Sequence, residues 1–169
     1  MSFDCSKYRD EFLKRETTNP AVILGNAAKA NVQLKQVTIP QTGPPGQQYW
    51  RVRGVHHLTQ KENGGDHNVY VDLLDENGKP LYYDGIGIKW GWEGQTDQQR
   101  QAPEKFDKHT PNEPMSDVPI TSKGQFIWTE IEGDGASSDR VSRMGTEGNA
   151  AESYYVLYQK AFAQPLRQD

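Results

Sequence analysis

The side chains best able to do chemistry in this chain are four histidines, His56, His57, His67 and His109. Three of them, with a nearby carboxylate, make a candidate metal set: His56, His57, Asp66 and His67. If residues 57 and 66 faced each other across a hairpin, imidazole and carboxylate would converge as they do in barrel metalloenzymes. The spacing argues against it. Adjacent strand residues point to opposite faces, so His56 and His57 cannot both ligate one ion without a bulge. The His-x-His followed by Glu that such barrels use is absent. Histidines held by hydrogen bonds at a sheet edge are the plainer account. Asp, Asn and Gly crowd residues 60–66, 75–79 and 132–139, where oxygens can hold calcium, but none has the twelve-residue EF-hand spacing. Turn chemistry explains these residues without an ion. Cys5 is the single cysteine, so no internal disulfide forms, and it has no neighbouring His to activate it. No Gly-x-Ser-x-Gly elbow, phosphate-cradling glycine loop or carboxylate pair in an apolar frame is present. The sequence therefore assigns no catalytic residue, no metal and no cofactor, and the expectation is a protein that is not an enzyme.

Binding chemistry is better represented, through the aromatics. Tyr49, Tyr82, Tyr83, Trp92 and Tyr155 flank strand segments and are the candidates for stacking on sugar rings or anchoring a protein interface. A sandwich also needs aromatics inside, and Trp90, Trp128 and Val156 are expected there.

The elements that position these residues centre on residues 66–93. Val69, Val71 and Leu73 alternate with Tyr70, Asp72 and Leu74, a period of two. Asn77-Gly78 ends the row with the chain's best short-range turn signal. Ile86, Ile88, Trp90 and Trp92 then alternate with Gly85, Gly87, Lys89 and Gly91. One face of that strand is large and apolar; the other is nearly bare, which lets a backbone or a ligand come close. A short extra strand is expected at 81–83. Residues 49–58, 125–132 and 153–162 read as further strands, and 118–120 regains β character. Residues 94–117 and 133–151 read as long polar loops, which tend to be functional or to lie on something. No βαβ rhythm appears.

Hydrophobic residues make up 34% of the 169, so the core must lean on 4 Trp, 8 Tyr and 5 Phe. A net charge of −4 gives no basic footprint for nucleic acid. No apolar run spans a membrane and no signal-peptide h-region follows Met1, so the expected origin is the cytoplasm without Sec export, with incorporation into a virion compatible with that.

Residues 2–16 have helical spacing, and the Pro/Gly loop 41–48 is the clearest boundary. The expected division is an N-terminal arm (1–48: short helix, extended segment, linker), a β-sandwich (49–163) and a tail (164–169). A helix this short is marginal alone, so Phe3, Tyr8, Phe12, Leu13, Val22, Ile23 and Leu24 are the residues expected to bind a partner.

Residues 69–81, VYVDLLDENGKPL, resemble the strand–DxNGxP–strand signature of bacterial immunoglobulin-like and related β-sandwich domains. The run of segments from 49 to 161 also resembles an uncharacterised bacterial and phage module sometimes found beside cell-wall glycan hydrolases. That resemblance implies a non-catalytic role, with glycan binding as one form.

The expected fold is thus all-β, an antiparallel sandwich, Ig-like or jelly-roll-like, with an N-terminal arm carrying a short helix. The leading functional expectation is a structural protein of the decoration or cement type on a phage-like particle, docking through its arm and loops on copies of itself or a capsid-type scaffold. The alternative is a carbohydrate-binding module for cell-wall or surface glycan, and the third is a metal-dependent barrel enzyme.

Overall fold

A computed structural model describes residues 3–82, 84–148 and 151–164. The protein is mostly β, in two five-stranded sheets. The first sheet has the order β1 (Gln33–Lys35), β9 (Arg140–Met144), β7 (Ile127–Glu132), β4 (Gly87–Trp92), β5 (Glu104–Lys105). The second has the order β6 (Ser116–Pro119), β3 (Asn68–Leu74), β10 (Tyr154–Phe162), β2 (Gln48–His57), β8 (Ser137–Ser138). The expected all-antiparallel pairing fails at two places: β10 runs parallel to β3, and β2 parallel to β8. The rows 69–74 and 87–92 form β3 and β4, but these strands fall in different sheets. No strand forms at 81–82; Leu74 instead makes an isolated bridge to Pro80.

The main core lies between the sheets. Val52, Val71, Leu73, Val156 and Tyr158 of the second sheet meet Ile88, Trp90, Ile127, Ile131 and Val141 of the first. Tyr158 ties the layers together, donating its hydroxyl hydrogen to the Thr129 carbonyl at 2.8 Å. Val156 and Trp90 are buried as expected, whereas Trp128 is half-buried on the outer face. The faces of residues 126–131 alternate as the pattern implies, with Ile127, Thr129 and Ile131 turned inward. The long segment 133–151, read as a loop, contains β8 and β9, and the segment 94–117 contains β5 and the start of β6.

The segment expected as a free arm lies on the body. Helix α1 (Ser6–Lys14) covers the outer face of the second sheet, where Phe3, Cys5 and Phe12 form a second core with Leu58, Tyr70, Leu74, Tyr155 and Leu157. Tyr8 and Leu13 pack against that cluster. Helix α2 (Pro20–Leu24), capped by the Asn19 side chain, delivers Ile23 and Leu24 to the main core. Val22 alone of the seven expected docking residues is exposed. Strand β1 then joins the first sheet by pairing with β9. These apolar side chains satisfy their burial within their own chain, which is why a marginal short helix persists here.

Two sequence features shape that contact. Gly54 sits in β2 beneath α1, and a Cβ there would collide with the Phe12 ring. Arg53, almost fully buried, donates from Nη2 to the Phe12, Leu13 and Arg15 carbonyls, which closes the C-terminal end of α1.

The buried tyrosines carry a pH prediction. Burial pushes the Tyr70 and Tyr154 phenols up to about 12, and raises Tyr155 and Tyr158 as well. A phenol raised in the folded state contributes stability that is complete below its unfolded value, about 10, and is lost as pH rises toward the folded value. Tyrosinate absorbance from these rings should therefore appear above pH ~10 together with the loss of native tryptophan fluorescence. Smooth titration near pH 10 in the still-folded protein would contradict this.

Candidate functional site

The histidine set does not converge on a metal. His56 Nε2 meets Glu62 Oε1 at 2.9 Å and its ring stacks on Tyr8 at 3.9 Å. His57 Nε2 meets Glu152 Oε2 at 2.7 Å and its ring lies on Tyr154. Asp66 accepts the Tyr70 hydroxyl hydrogen at 2.8 Å, and His67 is exposed. Burial alone would raise Glu62, but hydrogen bonds from Tyr8, the Thr59 N–H and His56 outweigh it and hold the carboxyl down at about 2. These are structural pairs pinning α1 and the one-turn helix Gln60–Asn63 to the sheet edge. Among the described residues, no group of three or more His, Cys, Asp or Glu could hold a metal ion.

The five candidate aromatics scatter. Tyr49 is buried, and Tyr155 is fully buried, with its hydroxyl on Asp72 at 2.6 Å. Tyr155 cannot meet a ligand, because it points into packed protein, whereas Tyr49 borders a small hollow with Val37, Pro40 and Arg51. Trp92 packs against the core beside Trp90. Tyr82 stacks on His109 at 3.9 Å in an open depression with Asp84, Phe106 and Asp107. Tyr83 lies outside the described residues.

What the fold does assemble is a groove on the outer face of the first sheet. In β4 the inward row is Ile88 and Trp90, which leaves Lys89 and Gly91 outward. Cross-strand pairing places Lys89 opposite Glu130, and Gly91 opposite Trp128. The bare Gly91 is needed: a Cβ there would collide with the Gln95 amide and come within 2.9 Å of Trp128 Cζ2. Gly91 thus lets the indole and the amide lie close to the strand. Arg140 of β9 places its guanidinium 4.1 Å from the Trp128 ring centroid and donates from Nε to Glu130 Oε1 at 2.6 Å. A cation over an indole is attracted by the ring's quadrupole, and Glu130 fixes its position. Among the described residues the other N–H groups of Arg140 have no hydrogen-bond partner.

One rim is stiffened by the segment 95–101. The Thr96 N–H donates to Gln99 Oε1 at 3.0 Å, while Gln95 and Gln101 both donate to the Gln99 carbonyl. Between this rim and Trp128 is a cleft of about 460 Å³, lined also by Asp97, Arg100 and Glu132. Trp90 borders it, and its buried indole Nε1 has no hydrogen-bond partner among the described residues. A second hollow of about 500 Å³ lies beside the end of β1 and β8, lined by Lys35, Gln36, Ser137 and Ser138. Arg140 and no other cation lines both, so the hollows adjoin at the Trp128–Arg140 pair.

No protein-family model, curated protein or solved structure matches this chain. The reading of the site therefore stands on its own residues.

An aromatic–guanidinium platform, carboxylates and amides along an open groove can bind a polyhydroxylated ligand: apolar sugar faces against the guanidinium–indole stack, hydroxyls to the polar groups. Lys89, Gln95, Arg100, Trp128 and Arg140 were not among the sequence candidates. The one signal that pointed here was the bare glycine face of β4.

Proposed function

We propose that the protein is a non-catalytic β-sandwich module that binds a cell-wall or surface polysaccharide along the outer face of its first sheet. The observation that carries this reading is the Trp128–Arg140 pair seated over Gly91 where two open hollows adjoin. The groove is shallow and open at both ends of the pair, which suits a length of polymer rather than an enclosed small molecule. The resemblance of the segments from 49 to 161 to a module found beside cell-wall glycan hydrolases supports the same class of module. The decoration-protein reading drew on an arm free to reach a partner; the apolar residues of that arm are used in the protein's own cores.

The test is a polysaccharide panel scored by affinity electrophoresis and calorimetry. Saturable binding to at least one polymer is expected. Trp128→Ala should weaken it about ten-fold or more, since removing a central aromatic anchor typically costs over 1 kcal/mol and 1.4 kcal/mol is ten-fold. The variant should keep its melting temperature within a few degrees, because Trp128 is outside the main core. Absence of binding across the panel would overturn the proposal.

A further inference from the structure

The pattern of charge on the groove carries a step beyond glycan binding. Lys35 of β1 is the direct cross-strand partner of Arg140 of β9, and both line the second hollow. Like charges placed directly opposite in an antiparallel pair destabilise a sheet. Here the sheet accepts that cost on an edge strand of only three residues. Glu130 relieves only one side of the problem: it engages Arg140 through Nε, while Lys35 has no carboxylate within ion-pair distance among the described residues. The same holds for Lys89 and Arg100 on the far side of Trp128.

We propose that the polysaccharide bound in this groove is acidic, with carboxylate, sulfate or phosphate groups along its length that are held by Lys35, Lys89, Arg100 and the unused fork of Arg140. This rests on the glycan reading of the groove. Three carboxylates also line it: Asp97, Glu130 and Glu132. They accept hydrogen bonds from sugar hydroxyls, so the groove offers acceptors for hydroxyls and cations for acid groups on the same strip. A planar guanidinium lying over an indole is well placed for this, because it meets an acid group through two parallel N–H donors while the ring supports the sugar beside it. An acidic ligand would also offset the Lys35–Arg140 repulsion that folding leaves in place.

The experiment pairs acidic polymers with neutral counterparts: polygalacturonate with its methyl ester, alginate with its carboxyl-reduced form, and heparin with its desulfated, carboxyl-reduced, N-acetylated form, alongside neutral glucans. Calorimetry at low and physiological salt reads the affinities. The expected result is at least one acidic polymer bound ten-fold or more tightly than its neutral partner, with the preference shrinking as salt rises. Lys35→Gln and Lys89→Gln, both at exposed positions, should each lower affinity for the acidic polymer at least five-fold and shrink its preference over the neutral partner by a similar factor. Thermal melts confirm that both variants are folded. Neutral polymers bound as tightly as acidic ones would overturn this inference and leave the glycan reading standing. No polymer bound at all would overturn both.

Discussion

Replacing Asp72 by alanine should cost the protein about 3–5 kcal/mol, the range for breaking a buried ion pair by removing one partner. Asp72 is completely buried on β3. Its Oδ2 accepts from Arg9 Nε at 3.0 Å and Nη2 at 2.8 Å, from the Tyr155 hydroxyl at 2.6 Å and from the Cys5 thiol at 3.3 Å. Its Oδ1 accepts from the Met115 N–H at 2.8 Å. One carboxylate therefore joins α1, β10 and the segment before β6. Alanine would leave the Arg9 charge with only the Pro111 carbonyl and the Cys5 sulfur, and the Tyr155 hydroxyl and the Met115 N–H without their acceptor; each unmet buried group costs about 1–3 kcal/mol. Asp72→Asn keeps the shape and one acceptor but not the charge facing Arg9, so about half the loss is expected. Urea unfolding measures both. Cys5 supplies a second readout: burial, reinforced by the Asp72 charge, pushes its thiol pKa far up, so the native protein should resist thiol-directed reagents. Labelling should accelerate in Asp72→Ala as α1 loosens. A stability change below 1 kcal/mol with unaltered labelling would show that the cluster holds nothing.

Deletion of residues 1–48 should leave a chain unable to fold. That outcome differs from a sandwich carrying a dispensable arm, which would fold unaided. The deletion removes Ile23, Leu24, Ala27 and Val32 from the main core and Phe3, Cys5 and Phe12 from the second. It also removes β1, so β9 becomes a sheet edge. Each large apolar side chain contributes roughly 1.5–3 kcal/mol on burial. Five such residues together contribute about 7.5–15 kcal/mol, comparable to the 5–15 kcal/mol that stabilises a typical domain. The shortened chain should collect in the insoluble fraction, or show no cooperative melt when refolded. A cooperative melt near that of the full chain would refute the claim. A milder variant, Phe12→Ala, should remain folded and lose about 3–5 kcal/mol.

The strands with strong period-two rows were legible in the sequence because their apolar side chains repeat on one face, as in residues 69–74, 127–131 and 154–158. β9 was not, because only Val141 and Met144 of its five residues are buried, too few to set a period. The second core escaped for another reason. The period of two separated Tyr70, Asp72 and Leu74 from the row that enters the main core; what covers them comes from α1, some sixty residues earlier in the chain. A polar residue in an outward row signals solvent unless its cover is known. For Trp128 the alternation was right and the choice of inner face was wrong, since its row competes with Ile127, Thr129 and Ile131. The glycine row of β4 correctly marked a close approach, but its occupants, Trp128 and Gln95, come from distant and non-periodic positions.

The placement of β10 between β2 and β3 bears on how the protein is made. β10 is the last strand in chain order, yet it is a central one, with a parallel neighbour on one side and an antiparallel neighbour on the other. During synthesis β2 and β3 emerge about a hundred residues before the strand that must slot between them. Until then each exposes an unsatisfied edge, and pairings this remote in sequence are slow to close. The nascent polypeptide should therefore engage holdase chaperones at the ribosome and acquire protease resistance only after residue 162 has emerged.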